Sequence, residues 1–461
     1  MAPPPLRYRR ATRACALVAA VALVLVLPFG RARAVGTRSL SRYTEAQQLN
    51  TRKFLDGFVQ SMPHLRNFWT GDDFCAWKGV TCLHDEVSIS ATNWVQSAVS
   101  SGRLPEVSSA DVDVSQVLVT SICLRANGMN LSGTLPASWG LLRNLRQVRL
   151  ESNSLTGSLP PEWSSLDRLV VLYLSNNNLA GTLPASWGES MKSLVILSLD
   201  RNALVGTLPP EWGRMRSMQA LVLERNRLSG TLPAEWRFMR AASTLMIGRN
   251  DLSGTLPREW VGMSTMEWMD LHSNRLTGSL PAEWARLEFL EELRIQDNVL
   301  VGTLPAEWSA MKSMQVLDIS KNTLSGTLPV LWSSMHSLDT LSIRGNQLSG
   351  SVPIKWRTLP SIMYLHLEDN ALCGCLPLNW TSRNVAVTVD DAVMNVKCAI
   401  ENACNGVSRD PISGTISSSY SSSAGPNDVI EASDVAFSSC VASASSASND
   451  SSGYNAGGTS S

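Results

Sequence analysis

The sequence predicts a leucine-rich repeat solenoid, an α/β repeat fold of about ten to eleven coils with a parallel concave sheet and disulfide caps at both ends. Two observations carry this prediction. A segment of the form L-x-x-L-x-L-x-x-N-x-L recurs along the chain. Each copy is followed by a phrase that reads Gly-Thr-Leu-Pro-Ala-Glu-Trp in its purest form, at residues 230–236 and 302–308. Together they form a 24-residue unit, within the roughly 20–29 residues of a leucine-rich repeat.

The first 34 residues predict a secretory signal peptide. They carry six arginines and no acidic residue, and an apolar run from Ala14 to Phe29 precedes the small-x-small site Ala32-Arg33-Ala34. A membrane anchor is the alternative, but the run is too short for a comfortable span. The mature chain is therefore expected to start at Val35, without a transmembrane span, and to be extracellular, either secreted or at the cell surface.

The charge balance argues against a nucleic-acid partner. The whole chain has a formal net charge of zero, but the chain without its six leader arginines has 33 basic and 39 acidic residues. Nucleic-acid binding requires clustered positive charge. We therefore expect no nucleic acid among the partners.

Residues 35–116 are predicted to form an N-terminal cap. An apolar stripe at near-helical spacing predicts a lead-in helix that stops at Pro63. The stripe consists of Leu49, Phe54, Leu55, Phe58 and Met62. The loop from Cys75 to Cys82 then predicts a disulfide, because a solenoid needs a lid over its first apolar coil. Its C-x-W-x-G-V-x-C pattern resembles the N-terminal cap of plant-type extracellular leucine-rich repeat proteins. Residues 83–116 are expected to form a surface loop with some strand.

Residues 117–372 are predicted to be the repeats, with the first strand at residues 119–124. Asparagines then recur every 24 residues, apart from one step of 25. They are Asn153, Asn177, Asn202, Asn226, Asn250, Asn274, Asn298, Asn322, Asn346 and Asn370. The chain turns inward at this position, so an amide side chain is needed to pair backbone groups that would otherwise be buried without partners. The leucines around it predict the core and one short strand for each coil.

Eleven tryptophans recur in the second half of the units. They are Trp139, Trp163, Trp187, Trp212, Trp236, Trp260, Trp284, Trp308, Trp332, Trp356 and Trp380. One interpretation is an exposed aromatic ladder that binds a ligand. We favour a core position, because most are followed at +3 and +6 by Met or Leu, as in Trp308, Met311 and Met314. That is the spacing of a short helical turn that faces inward.

Eight cysteines remain once the leader is removed, and an even set in an exported chain predicts disulfides rather than a metal site. Residues 373–406 are expected to form a C-terminal cysteine cap. In it, Cys373 and Cys375 are expected to pair with Cys398 and Cys404 rather than with each other. The sequence leaves the order of this pairing open.

Two cysteines have no obvious mate. Cys123 and Cys440 pair with each other, or Cys440 forms an intermolecular bond. Cys440 lies in residues 407–461, which are rich in Ser, Ala, Gly and Thr. Such a composition cannot bury enough apolar surface to fold and predicts a disordered tail.

No enzymatic site is predicted. The five histidines have no metal-ligand spacing, and the chain has neither a Gly-x-Ser-x-Gly motif nor a phosphate-binding loop. We therefore expect no catalytic residue, no metal, no cofactor and no small-molecule substrate. Asn130 and Asn379 each begin an N-x-[ST] sequon and are candidate glycosylation sites.

The outward-facing positions of the concave strands are the predicted recognition surface. Three columns run along it, and they begin at Gln147, Arg149 and Glu151 and advance by one unit for each coil. The residues in these columns differ from coil to coil, whereas the core and turn positions repeat nearly unchanged. Free variation on a fixed scaffold is typical of a surface that recognises something.

Seven residues on or beside these columns form the predicted partner-binding set: Arg201, Arg225, Arg249, Trp268, His272, Arg294 and Tyr364. The first three are expected to stack on successive coils as a basic stripe. Trp268 is expected to be exposed on the concave sheet. Arginine and aromatic residues dominate interface hot spots. The alternative is a charged sheet face that is merely solvated.

The repeat with its Trp and Met positions, the four-cysteine C-terminal cap and the Ser-rich tail resemble the promastigote surface antigen family of Leishmania, over roughly residues 1–440. The resemblance implies an extracellular leucine-rich repeat surface antigen that binds host proteins, with complement or macrophage receptors as proposed partners. A structural coat or decoy glycoprotein without a specific partner is the alternative. Anchored members end in an apolar GPI signal, which residues 453–461 lack; we expect a secreted member rather than a truncated sequence.

Overall fold

The computed structural model describes residues 40–91, 102–125, 130–374, 376, 380 and 385–390. Several predictions fall outside these residues: the signal peptide, the tail, Asn379, Cys375, Cys398, Cys404 and Cys440. Of the helices that the structure describes, none combines the length and the apolar character needed to span a bilayer.

The strands of the described residues are numbered in chain order. They are β1 (Val80–Leu83), β2 (Glu86–Ser90), β3 (Gly102–Arg103), β4 (Val119–Cys123), β5 (Leu131–Thr134), β6 (Gln147–Arg149), β7 (Ser154–Thr156), β8 (Val171–Tyr173), β9 (Ile196–Ser198), β10 (Val205–Thr207), β11 (Ala220–Val222), β12 (Arg227–Thr231), β13 (Thr244–Met246), β14 (Asp251–Thr255), β15 (Trp268–Asp270), β16 (Arg275–Thr277), β17 (Glu292–Arg294), β18 (Val316–Asp318), β19 (Ser325–Thr327), β20 (Thr340–Ser342), β21 (Gln347–Ser351), β22 (Tyr364–His366), β23 (Ala371–Cys373) and β24 (Ala386–Thr388).

The helices of the described residues are short apart from one of 17 residues. The α-helices are α1 (Glu45–Ser61) and α2 (Ser186–Ser190). The 3₁₀ helices are Leu40–Arg42, Pro63–Asn67, Phe74–Ala76, Val114–Gln116, Ala137–Leu141, Pro161–Ser165, Pro210–Arg214, Ala234–Phe238, Arg258–Gly262, Ala282–Arg286, Ala306–Ala310, Val330–Ser334 and Ile354–Thr358. From Ala137 onward, each unit contributes one such turn, and α2 takes that place in the unit that has one extra residue.

One sheet of 14 strands runs along the solenoid, in the order β1-β2-β4-β6-β8-β9-β11-β13-β15-β17-β18-β20-β22-β24. The β1–β2 pair is antiparallel and the later neighbours are parallel. Each coil adds a three-residue strand in register, so that Val148 pairs with Leu172 and Leu172 with Leu197. These middle residues are fully buried. The predicted leucine-rich repeat solenoid is confirmed.

Helix α1 and the disulfide loop form the N-terminal cap. A capping box at Thr44 starts the helix. Phe54 and Phe58 are buried as expected, but Leu49 is 55% exposed. At 3.6 residues per turn, five residues place Leu49 about 140° round the helix from Phe54, so it falls outside the buried stripe. The helix that the sequence predicts is present, and its buried face is narrower than expected.

The cysteine pairings agree with the prediction in part. Cys75 and Cys82 form the predicted disulfide, and the Trp77 between them is buried against Trp69. Cys373 is disulfide-bonded, and its mate lies outside the described residues. Among the described residues Cys123 is a free thiol, and its suggested mate Cys440 lies outside them.

The coils extend beyond the boundaries that the sequence suggests. Strand β2 pairs with β4, and β3 pairs with β5, so an irregular coil precedes the predicted start at residue 117. Its Gly102-Arg103-Leu104-Pro105 stands where later coils have Gly-Thr-Leu-Pro, and the Pro105 carbonyl accepts a hydrogen bond from the Trp139 indole. At the other end, β24 continues the main sheet past residue 372. Both ends therefore bury their last regular coil against degenerate ones.

The asparagine ladder saturates the inward turn of each coil with hydrogen bonds. Asn250 shows the pattern: its Nδ2 group donates to the carbonyls of Leu223, Ile247 and Gly248 at 3.0–3.2 Å. Its Oδ1 atom accepts from the backbone N–H of Leu228 at 3.0 Å. One amide thus binds backbone groups of its own coil and of the preceding coil.

The tryptophan column lies in the core, as predicted, and it is also hydrogen-bonded. All eleven indoles are at most 1% exposed. Seven of the ten neighbouring pairs stack, with ring centroids 6.1–6.4 Å apart. Each Nε1–H from Trp139 to Trp356 donates to the proline carbonyl of the preceding coil, as Trp236 does to Pro209 at 3.0 Å. The proline therefore supplies an acceptor as well as a rigid turn.

The glycine of the Gly-Thr-Leu-Pro segment is required for two reasons: its backbone has a positive φ, and a neighbouring side chain leaves no room for a Cβ atom. Gly230 has φ +80°, which favours glycine. A Cβ atom there would lie 2.7 Å from the methyl group of Thr207 on the preceding coil. The threonine methyl thus occupies the space that the glycine leaves, which explains why Gly and Thr recur together.

Replacing a ladder asparagine should destabilise the solenoid. We expect Asn250→Ala to lower the free energy of unfolding by about 2–4 kcal/mol, because several buried backbone groups lose their partner. Asn178→Ala is the matched control: its side chain is exposed, so the effect should stay within about 0.5 kcal/mol. Chemical denaturation measures both, and equal losses for the two variants would contradict the role given to the ladder.

Candidate partner-binding face

The outward side chains of the concave sheet are more buried than the sequence suggests. The first column is buried from Val171 to Trp268, and Trp268 itself is 8% exposed. The expectation of an exposed Trp268 is therefore wrong, although it does lie on the concave sheet between Thr244 and Glu292. Parallel strands are only about 4.8 Å apart, so an indole on such a sheet packs against its cross-strand neighbours.

Three arginines form a row along the edge of this face, which we call the arginine row: Arg201, Arg225 and Arg249. Their backbone N–H groups bond to the carbonyls of residues 224, 248 and 272 of the next coil, which places them on consecutive coils. Their side chains are 28–29% exposed. Burial lowers the pKa of Arg225, and the charges of Arg249 and Arg201 lower it further. Like charges are thus held close together here.

The backbone of the arginine row is strained. The residue before each ladder asparagine adopts a positive φ, and for these three arginines φ is 53–55°. A residue with a Cβ atom in this region costs about 1–2 kcal/mol. Gly345 occupies the same position in another coil, so glycine fits there. The arginines are therefore not explained by the needs of the backbone.

Carboxylates of the third column lie beside the arginine row. The Arg225 guanidinium is 3.6 Å from the Glu224 carboxylate, and Arg249 is 3.8 Å from it. Arg201 is 4.0 Å from Asp200. Burial raises the pKa of Asp200 to about 6, against the opposing effects of Ser198 and Arg201. Burial also raises the pKa of Glu224, as does the charge of Asp270.

His272 is buried and connects an acid to the arginine row. Its Nδ1 atom is 2.5 Å from Oδ1 of Asp270, and its Nε2 atom is 3.1 Å from Nε of Arg249. Burial lowers the pKa of His272, but Asp270 and Glu224 outweigh the burial, and the pKa lies above its ordinary value. The pKa of Asp270 is lowered, because His272 outweighs the burial of the carboxylate.

Gly248 makes this arrangement possible. It is the glycine of the third column, between Glu224 and His272 on the coils to either side. A Cβ atom at Gly248 would lie 2.4 Å from Nδ1 of His272 and 3.1 Å from Oδ1 of Asp270. The His272 imidazole therefore occupies the space that a side chain at position 248 would fill. We call this place the Gly248 notch.

Further ion pairs rigidify the face on either side. The Arg294 guanidinium donates to Glu292, whose charge outweighs burial and raises the pKa of Arg294. At the N-terminal end, Arg149 binds Glu151 at 2.7 Å and lies over the ring of Tyr173. Arg149, Glu151 and Tyr173 were not among the predicted partner-binding residues.

Most of the predicted partner-binding residues lie close together, but Tyr364 lies far from the others. Arg201, Arg225, Arg249 and His272 form one continuous cluster, and Arg294 lies beside it through Asp270. Tyr364 is half-buried on β22, four coils beyond Trp268. It belongs to a different part of the face.

Two other candidate features can be placed. Asn130 is exposed, and its side-chain oxygen accepts a hydrogen bond from Ser154. It remains a candidate glycosylation site. Across the part of the chain that the structure describes, no group of three or more His, Cys, Asp or Glu residues could hold a metal ion.

Known proteins share the repeat with this chain. Models of the leucine-rich repeat match residues 167–228 and 288–348, and a further leucine-rich repeat model matches residues 144–166. The surface membrane glycoprotein GP46/M-2 of Leishmania amazonensis is 39% identical over 144 residues. That match covers 31% of this chain and 29% of the glycoprotein. The predicted resemblance to leucine-rich repeat surface antigens is confirmed by this match.

Solved structures of plant receptors share the fold. The leucine-rich repeat ectodomain of the receptor kinase GASSHO1/SCHENGEN3 from Arabidopsis thaliana, in complex with CASPARIAN STRIP INTEGRITY FACTOR 2, aligns with a TM-score of 0.63 at 27% identity. The plant peptide hormone receptor RGFR1, in complex with RGF2, aligns at 0.58 with 29% identity. The alignments cover 75% and 64% of this chain, but only 43% and 45% of the receptor chains.

The stability supplied by the His272–Asp270 pair should depend on pH. The folded pKa of His272 lies above its ordinary value of 6.5, so the pair stabilises fully below about pH 6.5 and progressively less as the pH rises through the folded pKa. We expect Asp270→Asn to cost about 3 kcal/mol of unfolding free energy at pH 5.5. At pH 9 the imidazole is neutral, and the loss should fall to about 1–2 kcal/mol, from a hydrogen bond and the attraction between Asp270 and Arg294.

Urea denaturation at a series of pH values measures this difference. Asp251→Asn is the control, because Asp251 forms an exposed pair with Arg275 and its loss should have little effect at any pH. An Asp270→Asn cost that stays constant from pH 5.5 to pH 9 would contradict the pairing.

Proposed function

We propose that this chain, which contains leucine-rich repeats and matches a Leishmania surface glycoprotein over part of its length, is an extracellular surface antigen that binds host proteins. Binding takes place on the concave face, at and beside the arginine row. The chain acts by recognition rather than by catalysis.

The contrast between fixed scaffold and variable face is the observation that carries this proposal. Asn250 and Asn274, on neighbouring coils, make the same four kinds of hydrogen bond to the backbone. On the same coils the third column changes from Gly248 to His272. The coils therefore differ in the third column, where a change of side chain does not alter the hydrogen bonds that hold the coil. A surface that only needed to be soluble would not require a buried acid–imidazole pair.

The exposed chemistry of the face favours an acidic partner surface. The arginine row presents three guanidinium groups on consecutive coils, and Arg294, with a side chain 34% exposed, lies further along the face. Guanidinium groups bind carboxylates in a fixed, often bidentate geometry. Because the accompanying acids are mostly buried, the arginines supply most of the charge that a partner meets.

The relatives support a protein partner and an extracellular setting. The matched Leishmania protein is a surface membrane glycoprotein, and the receptor ectodomains with the same fold were solved in complex with hormones or factors. For this chain we infer a partner on the host cell surface or in host serum.

Charge reversal in the arginine row should weaken cell binding. We expect Arg201→Glu combined with Arg225→Glu to reduce the binding of the fluorescently labelled chain to macrophages by about tenfold or more, as the loss of interface hot-spot residues does. Glutamate carries a Cβ atom as arginine does, so the backbone strain is unchanged. Flow cytometry over a range of chain concentrations measures the affinity.

Two controls define the outcome. Arg258→Glu combined with Arg275→Glu makes the same charge change outside the main sheet, on two side chains that are each 72% exposed, and should bind normally. Trypsin treatment of the cells should abolish binding if the partner is a protein. Equal binding by the reversed and wild-type chains would refute the concave-face assignment. Binding to neither cells nor serum proteins would favour the coat or decoy role.

A further inference from the structure

We propose that His272 is a proton-operated switch that sets the position of the Arg249 guanidinium, and so couples pH to binding at the concave face. The coupling between the two side chains follows from the structure alone. Its effect on binding rests on the proposed function.

The hydrogen bonds of His272 define its neutral state. An arginine Nε–H can only donate, and it keeps its proton at any physiological pH. Nε of Arg249 lies 3.1 Å from Nε2 of His272, so Nε2 must be the acceptor. The ring proton is then on Nδ1, where it donates to Asp270 at 2.5 Å. This structure therefore holds the neutral imidazole with one defined tautomer.

Protonation of the ring removes the acceptor. An imidazolium has a proton on both nitrogens, so its Nε2–H would face the Nε–H of Arg249, donor against donor and positive against positive. The bond between them must break, while the bond to Asp270 becomes an ion pair. Arg249 already has a carboxylate within reach, since its Nε is 3.8 Å from Glu224.

The Gly248 notch lets the guanidinium move. Glu224 and His272 lie two coils apart, and a side chain at Gly248 would stand between them. A Cβ atom at Gly248 would meet the imidazole at 2.4 Å. With glycine there, the Arg249 guanidinium can pass from the ring towards Glu224 without crossing another side chain of the third column.

Carboxylates on two different coils face His272 and favour protonation of its ring. Asp270 on its own coil and Glu224 two coils before it raise the pKa of the imidazole, and Arg249 lowers it. Arg225 lies 3.6 Å from Glu224, and Arg294, on the next coil, acts on Asp270. Gln296 occupies the third column of that coil and carries no charge. The imidazolium is thus supported by two carboxylates and opposed mainly by the one arginine that it displaces.

Acidification should therefore make the face more positive. Below the pKa of His272 the arginine row gains a neighbouring positive charge, and Arg249 is no longer bound to the ring. An acidic partner surface would bind more tightly as the pH falls. Asp200, with a pKa of about 6, titrates nearby and also makes the face more positive, so bulk pH dependence alone does not identify the switch.

Histidine NMR on the full chain tests the switch directly. In protein labelled with ¹³C at histidine Cε1, the His272 signal is assigned by its absence in His272→Gln, and its pKa is measured from pH 5 to pH 9. We expect Arg249→Gln to raise this pKa by about 0.5–1 unit, because the opposing charge and the obligate donor are lost. Arg201→Gln, two coils further along the row, should leave it unchanged.

The Nε–H signal of Arg249 supplies the second readout. It should shift with the same midpoint as the His272 signal in the wild-type chain and should not shift in His272→Gln. An unchanged His272 pKa in Arg249→Gln, or an Arg249 signal that does not respond to the titration, would overturn the switch whether or not a partner is known.

Cell binding at different pH values then separates the switch from the proposed function. Binding of the wild-type chain to macrophages should strengthen as the pH falls through the measured pKa of His272, and His272→Gln should lose that part of the dependence. If both chains bind with the same pH profile, the regulatory role is refuted while the binding function stands. If neither binds at any pH, the proposed function fails, and the NMR coupling still decides the switch.

Discussion

The structure depends on one constraint: each coil turns its backbone inward, and the buried N–H and C=O groups must find partners. The asparagine ladder meets this need from the concave side, and Asn250 alone pairs four backbone groups. On the opposite side, the indole of Trp236 pairs with the Pro209 carbonyl of the coil before it. Because unpaired buried groups cost about 1–3 kcal/mol each, neither column can vary freely, and both bind successive coils together.

The same constraint leaves the outward positions of the main sheet free. A side chain in the third column contributes nothing to the inward hydrogen bonds, so glycine, histidine and glutamate can follow one another at Glu224, Gly248 and His272 without disturbing the coil. The solenoid is thus a regular support for an irregular surface. Polar side chains on that surface nevertheless contact each other across coils, as Arg249 and His272 do, which makes each of them sensitive to its neighbours on adjacent coils.

Periodicity made the fold predictable, and the loss of periodicity marks where prediction failed. The repeats, the buried tryptophans and the Cys75–Cys82 bond follow from spacing and residue type. The irregular coil at Gly102–Pro105 was missed, because its single Leu-Pro pair is too short to register as a repeat. The exposure of Trp268 was also misjudged, since spacing tells which way a side chain points but not how closely its cross-strand neighbours cover it.

The candidate site was predictable as a location but not as an arrangement. Register alone brings the arginine row together, because equivalent positions stack from coil to coil. The link between Arg249 and His272 depends on an absent side chain at Gly248, which a search for chemically active residues passes over. A glycine in a column of large polar residues is therefore itself a sign of a possible site. It marks the place where side chains from two different coils can meet, and on this face that meeting joins the one buried imidazole of the cluster to the one arginine that its protonation must displace.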